Sequence, residues 1–139
     1  MTGPAPIVFD SESGGRPAAL PRPLRARVFR EIVGALTRGS GVRGGLLVTP
    51  DGLVITADLP PHSQVEALAA LGATLGRELE LGASRLGRGQ FRMAFLAGDS
   101  GTIFIGGGRM GFLVLLGDRS ADLASVRMAL ARALDRLQQ

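Results

Sequence analysis

Several residue types that carry chemistry are missing or scarce in this chain of 139 residues. There is no cysteine, which excludes disulfides, thiolate metal sites and a cysteine nucleophile. A single histidine cannot supply the usual set of zinc ligands. No apolar run reaches the roughly 18 residues of a membrane-spanning helix, and the N-terminus lacks the features of a secretory signal. We therefore expect a cytoplasmic protein with no membrane span.

Lysine, tryptophan and tyrosine are also absent, and all 16 basic residues are arginine. Against 12 acidic residues this leaves a formal net charge of only +4, although the sequence pI is about 11.4. Arginine stays charged far above neutral pH, so a small excess of it raises the pI strongly. Proteins that bind single-stranded nucleic acid add aromatic stacking platforms, which are lacking here. The composition therefore argues against a nucleic-acid partner.

The abundant residue types differ between the first 23 residues and the rest of the chain. Residues 1–23 hold five of the eight prolines, which predicts a flexible N-terminal arm, and the apolar stretch at 7–10 could add a short strand there. From Leu24 onward the apolar residues recur at helical spacing, up to the Arg-Gly-Ser-Gly that follows at 38–41. We predict an arm over 1–23 and one folded domain over 24–139.

Alternating helix and strand patterns fill this domain. Two apolar runs flank Pro50-Asp51-Gly52, which predicts a β-hairpin over 44–57. A second helix is predicted from an N-cap at Ser63, in a capping box with Glu66, to about Leu81. Three strands and a last helix, capped by Ser120, follow. This order predicts an α+β fold, a five-stranded and mostly antiparallel sheet with helices on its faces.

The glycines of the second helix leave two interpretations open. Gly72 and Gly76 are four residues apart and each costs helix propensity, roughly 1 kcal/mol relative to alanine. Small residues at this spacing let another backbone approach closely. The approaching element could be the sheet of the same domain, or the same helix of a second copy.

Glycines at 106, 108 and 111 match the spacing of a dinucleotide-binding loop. That site needs a strand, the glycines and then a helix, whose N-terminus meets the pyrophosphate. Here the glycines are followed by Phe-Leu-Val-Leu-Leu, an apolar strand pattern. The sequence predicts instead a hairpin turn with Arg109 at its tip, and no cofactor.

His62 lies next to Ser63 and near Asp58, which raises the question of a catalytic triad. Nothing in the sequence indicates a positioned nucleophile or an oxyanion hole, and Ser63 is already assigned to the helix cap. A small enzyme or ligand-binding protein that uses the His62 region remains the alternative of another class. We predict that the chain is not an enzyme, with no catalytic, cofactor or metal residues.

The hairpin sequence Gly-Gly-Leu-Leu-Val-Thr-Pro-Asp-Gly-Leu-Val-Ile-Thr-Ala-Asp resembles the first hairpin of the roadblock family, named after the dynein light chain roadblock. The stretch from Leu86 to the last helix is similar to its remaining three strands and closing helix. The resemblance covers about residues 24–139 and carries no catalytic motif. It implies a roadblock fold, with one helix on one face of the sheet and two on the other.

Members of this family form homodimers in which the third strands join the two sheets and the middle helices pair. The resemblance implies that the same contact here uses Leu68, Gly72, Leu75, Gly76, Leu79, Phe91, Met93 and Phe95. Bacterial members of the MglB type bind a Ras-like small GTPase and can stimulate its GTP hydrolysis without an arginine finger. The resemblance therefore implies a GTPase regulator, and the alternative within the same class is a structural adaptor indifferent to the nucleotide.

Overall fold

The computed structural model describes residues 9–10, 16–17 and 22–138. Two short strands, β1 (Phe9–Asp10) and β2 (Arg16–Pro17), pair antiparallel with each other. The predicted strand at 7–10 is thus present at its second half. Apart from Arg16–Pro17 and residues 22–23, the rest of the predicted arm lies outside the described residues.

The remaining elements form one three-layer unit. In chain order they are α1 (Arg22–Thr37), β3 (Val42–Val48), β4 (Val54–Asp58), α2 (Val65–Arg85), β5 (Met93–Gly98), β6 (Gly101–Gly108), β7 (Gly111–Asp118) and α3 (Leu123–Leu137). The five longer strands make one antiparallel sheet in the order β4-β3-β7-β6-β5. The predicted α+β class and five-stranded sheet are confirmed, and β4 and β5 are its two edges.

The β3–β4 hairpin turns at the predicted Pro50-Asp51-Gly52. Gly52 adopts a φ of 92°, which favours glycine over residues with a side chain. The Thr49 hydroxyl donates to Asp51 Oδ1 at 2.8 Å and accepts from the Leu53 backbone N–H at 3.0 Å, which closes the turn. The predicted hairpin is confirmed.

Strand β7 shows how the sheet separates two hydrophobic cores. Leu113 and Leu115 belong to the core beneath α1 and α3, whereas Phe112 and Val114 belong to the core beneath α2. All four are at most 1% exposed, because successive side chains of this central strand point into opposite cores. One helix on one face and two on the other is the layering that the resemblance implied.

Two predicted helix caps are wrong. The Ser63 hydroxyl donates to the Pro60 carbonyl oxygen at 2.6 Å, and Gln64 occupies the N-cap position of α2 without a side-chain hydrogen bond. In α3 the cap is Asp122, which accepts from the Ala124 backbone N–H at 3.3 Å. In both cases a serine near the helix start bonds within the preceding turn instead.

Helix α2 is one turn longer than predicted, ending at Arg85 rather than near Leu81. Within the described ranges, no helix is both long enough and apolar enough to span a membrane.

Candidate interaction surface

Strand β5 lies at an edge of the sheet and pairs only with β6 among the described strands. Its six residues, Met-Ala-Phe-Leu-Ala-Gly, contain neither a charge nor a proline. Phe95 and Leu96 are 41% and 43% exposed. An apolar edge strand with free backbone donors and acceptors is a template for pairing with another strand.

The side chains of β5 point to both faces of the sheet. Phe95 is paired with Phe104, and the two rings meet edge to face with centroids 5.3 Å apart. Phe104 belongs to the core beneath α1 and α3, which Met93 also contacts. Leu96 is paired with Ile103, which packs with the core beneath α2, so Leu96 lies on the α2 face.

The alternation of a strand that included Phe91 would put Phe91, Met93 and Phe95 on one face of the sheet, and the structure corrects this expectation from the sequence. Phe91 packs with the core beneath α2, on the opposite side of the sheet from Met93. Its ring covers Gly107, where a Cβ would lie 2.8 Å from a ring carbon of Phe91. The reason is that β5 begins only at Met93, so the alternation of an extended strand does not reach back to Phe91.

The glycines of α2 face the chain's own sheet. Together with Ala69 and Ala73 they form the buried face of the helix. A Cβ built on Gly72 would lie 2.6 Å from the Val114 side chain, and one built on Gly76 would lie 2.6 Å from the Phe112 ring. Close packing of α2 on the sheet of the same domain therefore explains why both positions are glycine. Both glycines are buried, so neither glycine lies on a surface that a partner could contact.

The leucines of α2 lie on one flank of the helix. Arg77 donates to the Pro50 carbonyl oxygen in the β3–β4 turn, so its side of α2 faces the β4 end of the sheet. At 100° per residue, Leu68, Leu75 and Leu79 lie on the opposite flank, toward β5. All three are half-buried and, like Ile103 and Phe91, pack against the core beneath α2.

The contact predicted from the sequence did not include two exposed leucines of this surface, Leu71 and Leu96. Leu71, 45% exposed, continues the leucine flank toward solvent, and Leu96 of β5 lies on the same side of the sheet. The signal for Leu71 in the sequence is that it widens the apolar stripe of Leu68, Leu75 and Leu79. We refer to Leu68, Leu71, Leu75, Leu79 and Leu96 as the α2–β5 surface.

The His62 region does not assemble a catalytic group. His62 is exposed and adopts a φ of 65° in the turn before α2. The Ser63 hydroxyl is bonded to the Pro60 carbonyl oxygen, and the Thr37 hydroxyl donates to Asp58. Ser63 and Asp58 are therefore each bonded to a group other than His62, and the three residues do not form a triad.

The glycines at 106, 108 and 111 belong to the β6–β7 hairpin, as predicted, with Arg109 and Met110 at its tip. A wide cleft of about 770 Å³ opens beside this tip, with Phe91 and Phe112 among its lining residues. Arg92, Arg109 and Glu80 also line it, and Arg92 is paired with Asp135 at 3.5 Å. In the part of the chain that the structure describes, no three His, Asp or Glu side chains cluster as metal ligands would.

Comparison with known proteins agrees with this architecture. The family model of the Roadblock/LC7 domain matches residues 28–116. An uncharacterized protein of Methanocaldococcus jannaschii is 30% identical over 104 residues, which span 74% of this chain and 90% of that protein.

Two solved structures share the fold. MglB of Myxococcus xanthus superimposes with a TM-score of 0.74 at 21% identity, covering 81% of this chain and 86% of that one. A structure described as MglB with a tetrameric arrangement gives a TM-score of 0.65 at 25% identity, covering 82% of this chain and 90% of that one. The sheet order, the layering and the matched residues lead to one conclusion: the chain belongs to the Roadblock/LC7 domain family.

Proposed function

We propose that the protein is a cytoplasmic homodimer that binds and regulates a Ras-like small GTPase. In the dimer the β5 strands of two copies pair, and their α2–β5 surfaces pack against each other. The family assignment and the MglB-like structures support a regulator of this kind, and the tetrameric MglB arrangement supports self-association.

The observation that carries the dimer is the contrast between the two edges of the sheet. Strand β4 ends in Asp58, which accepts a hydrogen bond from Thr37, and Pro60 follows two residues later. A charge and a proline are the usual means of blocking strand addition at an edge. Strand β5 has neither, and the leucines of α2 extend its apolar surface beyond the strand. The β5 edge is therefore the one suited to a partner.

The residues that the resemblance assigns to the dimer contact lie on both faces of the sheet. Leu68, Leu75, Leu79 and Phe91 lie on the α2 face, and Met93 and Phe95 lie on the α1–α3 face. A continuous sheet through two β5 strands buries apolar side chains on both faces at once. Gly72 and Gly76 support the dimer contact indirectly, by letting α2 lie close to its own sheet.

Regulation by this protein requires no catalytic group of its own. The surface described above offers apolar contact rather than acid–base or nucleophilic chemistry. We propose that the dimer binds the switch regions of the GTPase and shifts the population of their conformations. Stimulation of GTP hydrolysis would then use the catalytic residues of the GTPase.

The test is co-elution with the Ras-like GTPase of the same organism, loaded in turn with GDP and with a non-hydrolysable GTP analogue. We expect the GTP form to bind at least about tenfold more tightly, a difference of about 1.4 kcal/mol. Leu86→Glu, which alters an exposed leucine just after α2, serves as a control that should bind like the parent chain. Equal binding of both nucleotide forms would indicate a structural adaptor instead of a regulator, and no binding would refute the proposal.

A further inference from the structure

Charge is distributed unequally between the two faces of the sheet. Among residues whose side chains are described, α1 and α3 carry six arginines and two acidic residues, Glu31 and Asp135. Helix α2, on the other face, carries two arginines and three glutamates. The modest excess of positive charge in the whole chain is thus concentrated on one side of the molecule.

The arginines of that side point away from the protein. Helices α1 and α3 contact each other and form one layer. Ile32 and Leu36 of α1 are buried, and Arg27 and Arg30 lie on the exposed side of the same helix. In α3 the exposed arginines are Arg127, Arg132 and Arg136. We call the outer side of α1 and α3, with these five arginines, the basic layer.

Few acidic groups compensate the basic layer. Within the described residues one ion pair occurs, between Arg92 and Asp135 at 3.5 Å, and it uses one of the two acids of the layer. The five arginines therefore present their guanidinium groups to solvent. A field of one sign on a single face attracts an anionic partner.

Large apolar side chains are exposed on the same layer. Leu24 of α1 is 44% exposed, and Met128 of α3 is 57% exposed between Arg127 and Arg132. Phosphate groups of a nucleic acid gain nothing from such side chains, and the layer carries no exposed aromatic ring on which a base could stack. Apolar side chains among arginines are typical of helices that lie in the interface of an anionic membrane.

We infer that the basic layer docks the protein on the surface of an anionic lipid bilayer. The arginines contact lipid phosphates, and Leu24 and Met128 enter the interfacial region. The layer is formed by α1 and α3, so it is separate from the α2–β5 surface, and docking leaves that surface free.

The proposed dimer would double this layer. Antiparallel pairing of two identical β5 strands in one sheet places the two-fold axis perpendicular to the sheet. Both basic layers then lie on the same side, and both α2 helices lie on the other. This step rests on the proposed function, whereas docking of the single chain does not.

The experiment measures binding of the full chain to vesicles of phosphatidylcholine, with and without phosphatidylglycerol, by co-sedimentation. We expect binding only to the anionic vesicles, weakening as salt is added. The double variant Arg30→Gln/Arg132→Gln should bind roughly thirtyfold more weakly, the effect of two arginines at an anionic surface. Met128→Gln should weaken binding several-fold without changing the charge.

The matched control is Arg85→Gln/Arg88→Gln, which removes the same charge from exposed positions at the end of α2 and just beyond it. It should bind anionic vesicles within about threefold of the parent chain. An equal loss of vesicle binding in both double variants would show that binding depends only on the net charge of the chain. That result would refute the basic layer as a docking face. Absence of binding to anionic vesicles at low salt, or binding to a double-stranded DNA fragment in place of vesicles, would also overturn the inference. None of these readouts involves the GTPase.

Discussion

Gly76 shows how a single missing methyl group positions a helix. A Cβ at this position would lie 2.6 Å from carbons of the Phe112 ring, which is itself 1% exposed in the middle of the sheet. Gly76→Ala should therefore destabilise the fold by about 1–2 kcal/mol, because the overpacking exceeds the gain of about 1 kcal/mol in helix propensity. Urea unfolding at fixed protein concentration measures the difference.

Gly82→Ala in the same helix is the control for that prediction. A Cβ at Gly82 meets nothing within 4 Å, so only the helix propensity changes. This variant should be more stable than the parent chain by about 0.5–1 kcal/mol. If the two alanine variants shift the unfolding midpoint equally, the close packing of α2 on Phe112 is not what the glycine provides.

The carboxylate of Asp118 is hydrogen-bonded to Ser120 in the turn between β7 and α3. The Ser120 hydroxyl donates to Asp118 Oδ1 at 2.6 Å and the Ser120 backbone N–H donates to the same oxygen at 2.8 Å. These hydrogen bonds hold the pKa of Asp118 below its usual range. A depressed pKa contributes stability that is present above the unfolded pKa, about 3.9, and is lost as pH falls through the folded value.

Ser120→Ala should raise the pKa of Asp118 toward its usual value, since the side-chain hydrogen bond is the largest cause of the shift. The backbone hydrogen bond remains, so part of the shift should persist. Carboxyl chemical shifts followed by NMR against pH measure the change directly. The stability difference between parent and variant should shrink as the solution is acidified, and a difference that grows on acidification would contradict the assignment.

At the scale of elements, β5 and α2 supply surfaces that the rest of the chain leaves uncovered. Leu71 and Leu96 are 45% and 43% exposed, so neither is needed to fill the core. The double variant Leu71→Glu/Leu96→Glu should keep the fold and abolish the dimer, because charge is placed in an apolar contact. Sedimentation equilibrium should give the mass of one chain.

Leu86→Glu provides the comparison, since Leu86 is 76% exposed and lies outside the α2–β5 surface. It should retain the mass of a dimer. If the Leu71→Glu/Leu96→Glu variant has a normal circular dichroism spectrum and is still a dimer, the dimer contact does not lie on the α2–β5 surface.

The elements that the sequence predicted well are those in which local pattern and tertiary context agree. The β3–β4 hairpin is an example, since Pro50-Asp51-Gly52 has turn chemistry and both flanking runs are apolar. The predicted caps failed where local context offered alternatives, as when the Ser63 hydroxyl bonded to Pro60 rather than to the helix. A serine two residues before a helix satisfies several local patterns equally well.

The candidate site was predicted less completely than the fold, for a geometric reason. Helical spacing placed Leu68, Leu75 and Leu79 on one stripe, and the structure keeps them on one flank. Strand alternation failed for Phe91, because the alternation holds only within the strand and β5 begins at Met93. The role of Gly76 depends on Phe112, which is 36 positions away in the chain, and no local pattern shows such a contact.

The whole molecule is asymmetric in two respects that fit together. One edge of the sheet is blunted by Asp58 and Pro60, and the other is apolar along all of β5. One face is basic on α1 and α3, and the other has acidic residues in excess on α2. A partner at the β5 edge and an anionic surface at the basic layer would therefore occupy different parts of the molecule at the same time.

If the proposed dimer is the folded state, thermal stability must depend on protein concentration. Dimer dissociation accompanies unfolding, so a tenfold increase in concentration adds about 1.4 kcal/mol to the stability of the dimer. For a dimer of 139-residue chains this corresponds to a rise in Tm of about 2 °C per tenfold. Calorimetry over a hundredfold range of concentration, about 4 °C in Tm, resolves it.

The Leu71→Glu/Leu96→Glu variant should lose this dependence, because a chain that unfolds as a monomer has a Tm independent of concentration. Its Tm should also be lower than that of the parent chain at every concentration, since the contribution of the α2–β5 contact is gone. A parent Tm that stays constant over the range would show a folded monomer. In that case the unblocked β5 edge would belong to a different partner strand rather than to a second copy of the chain.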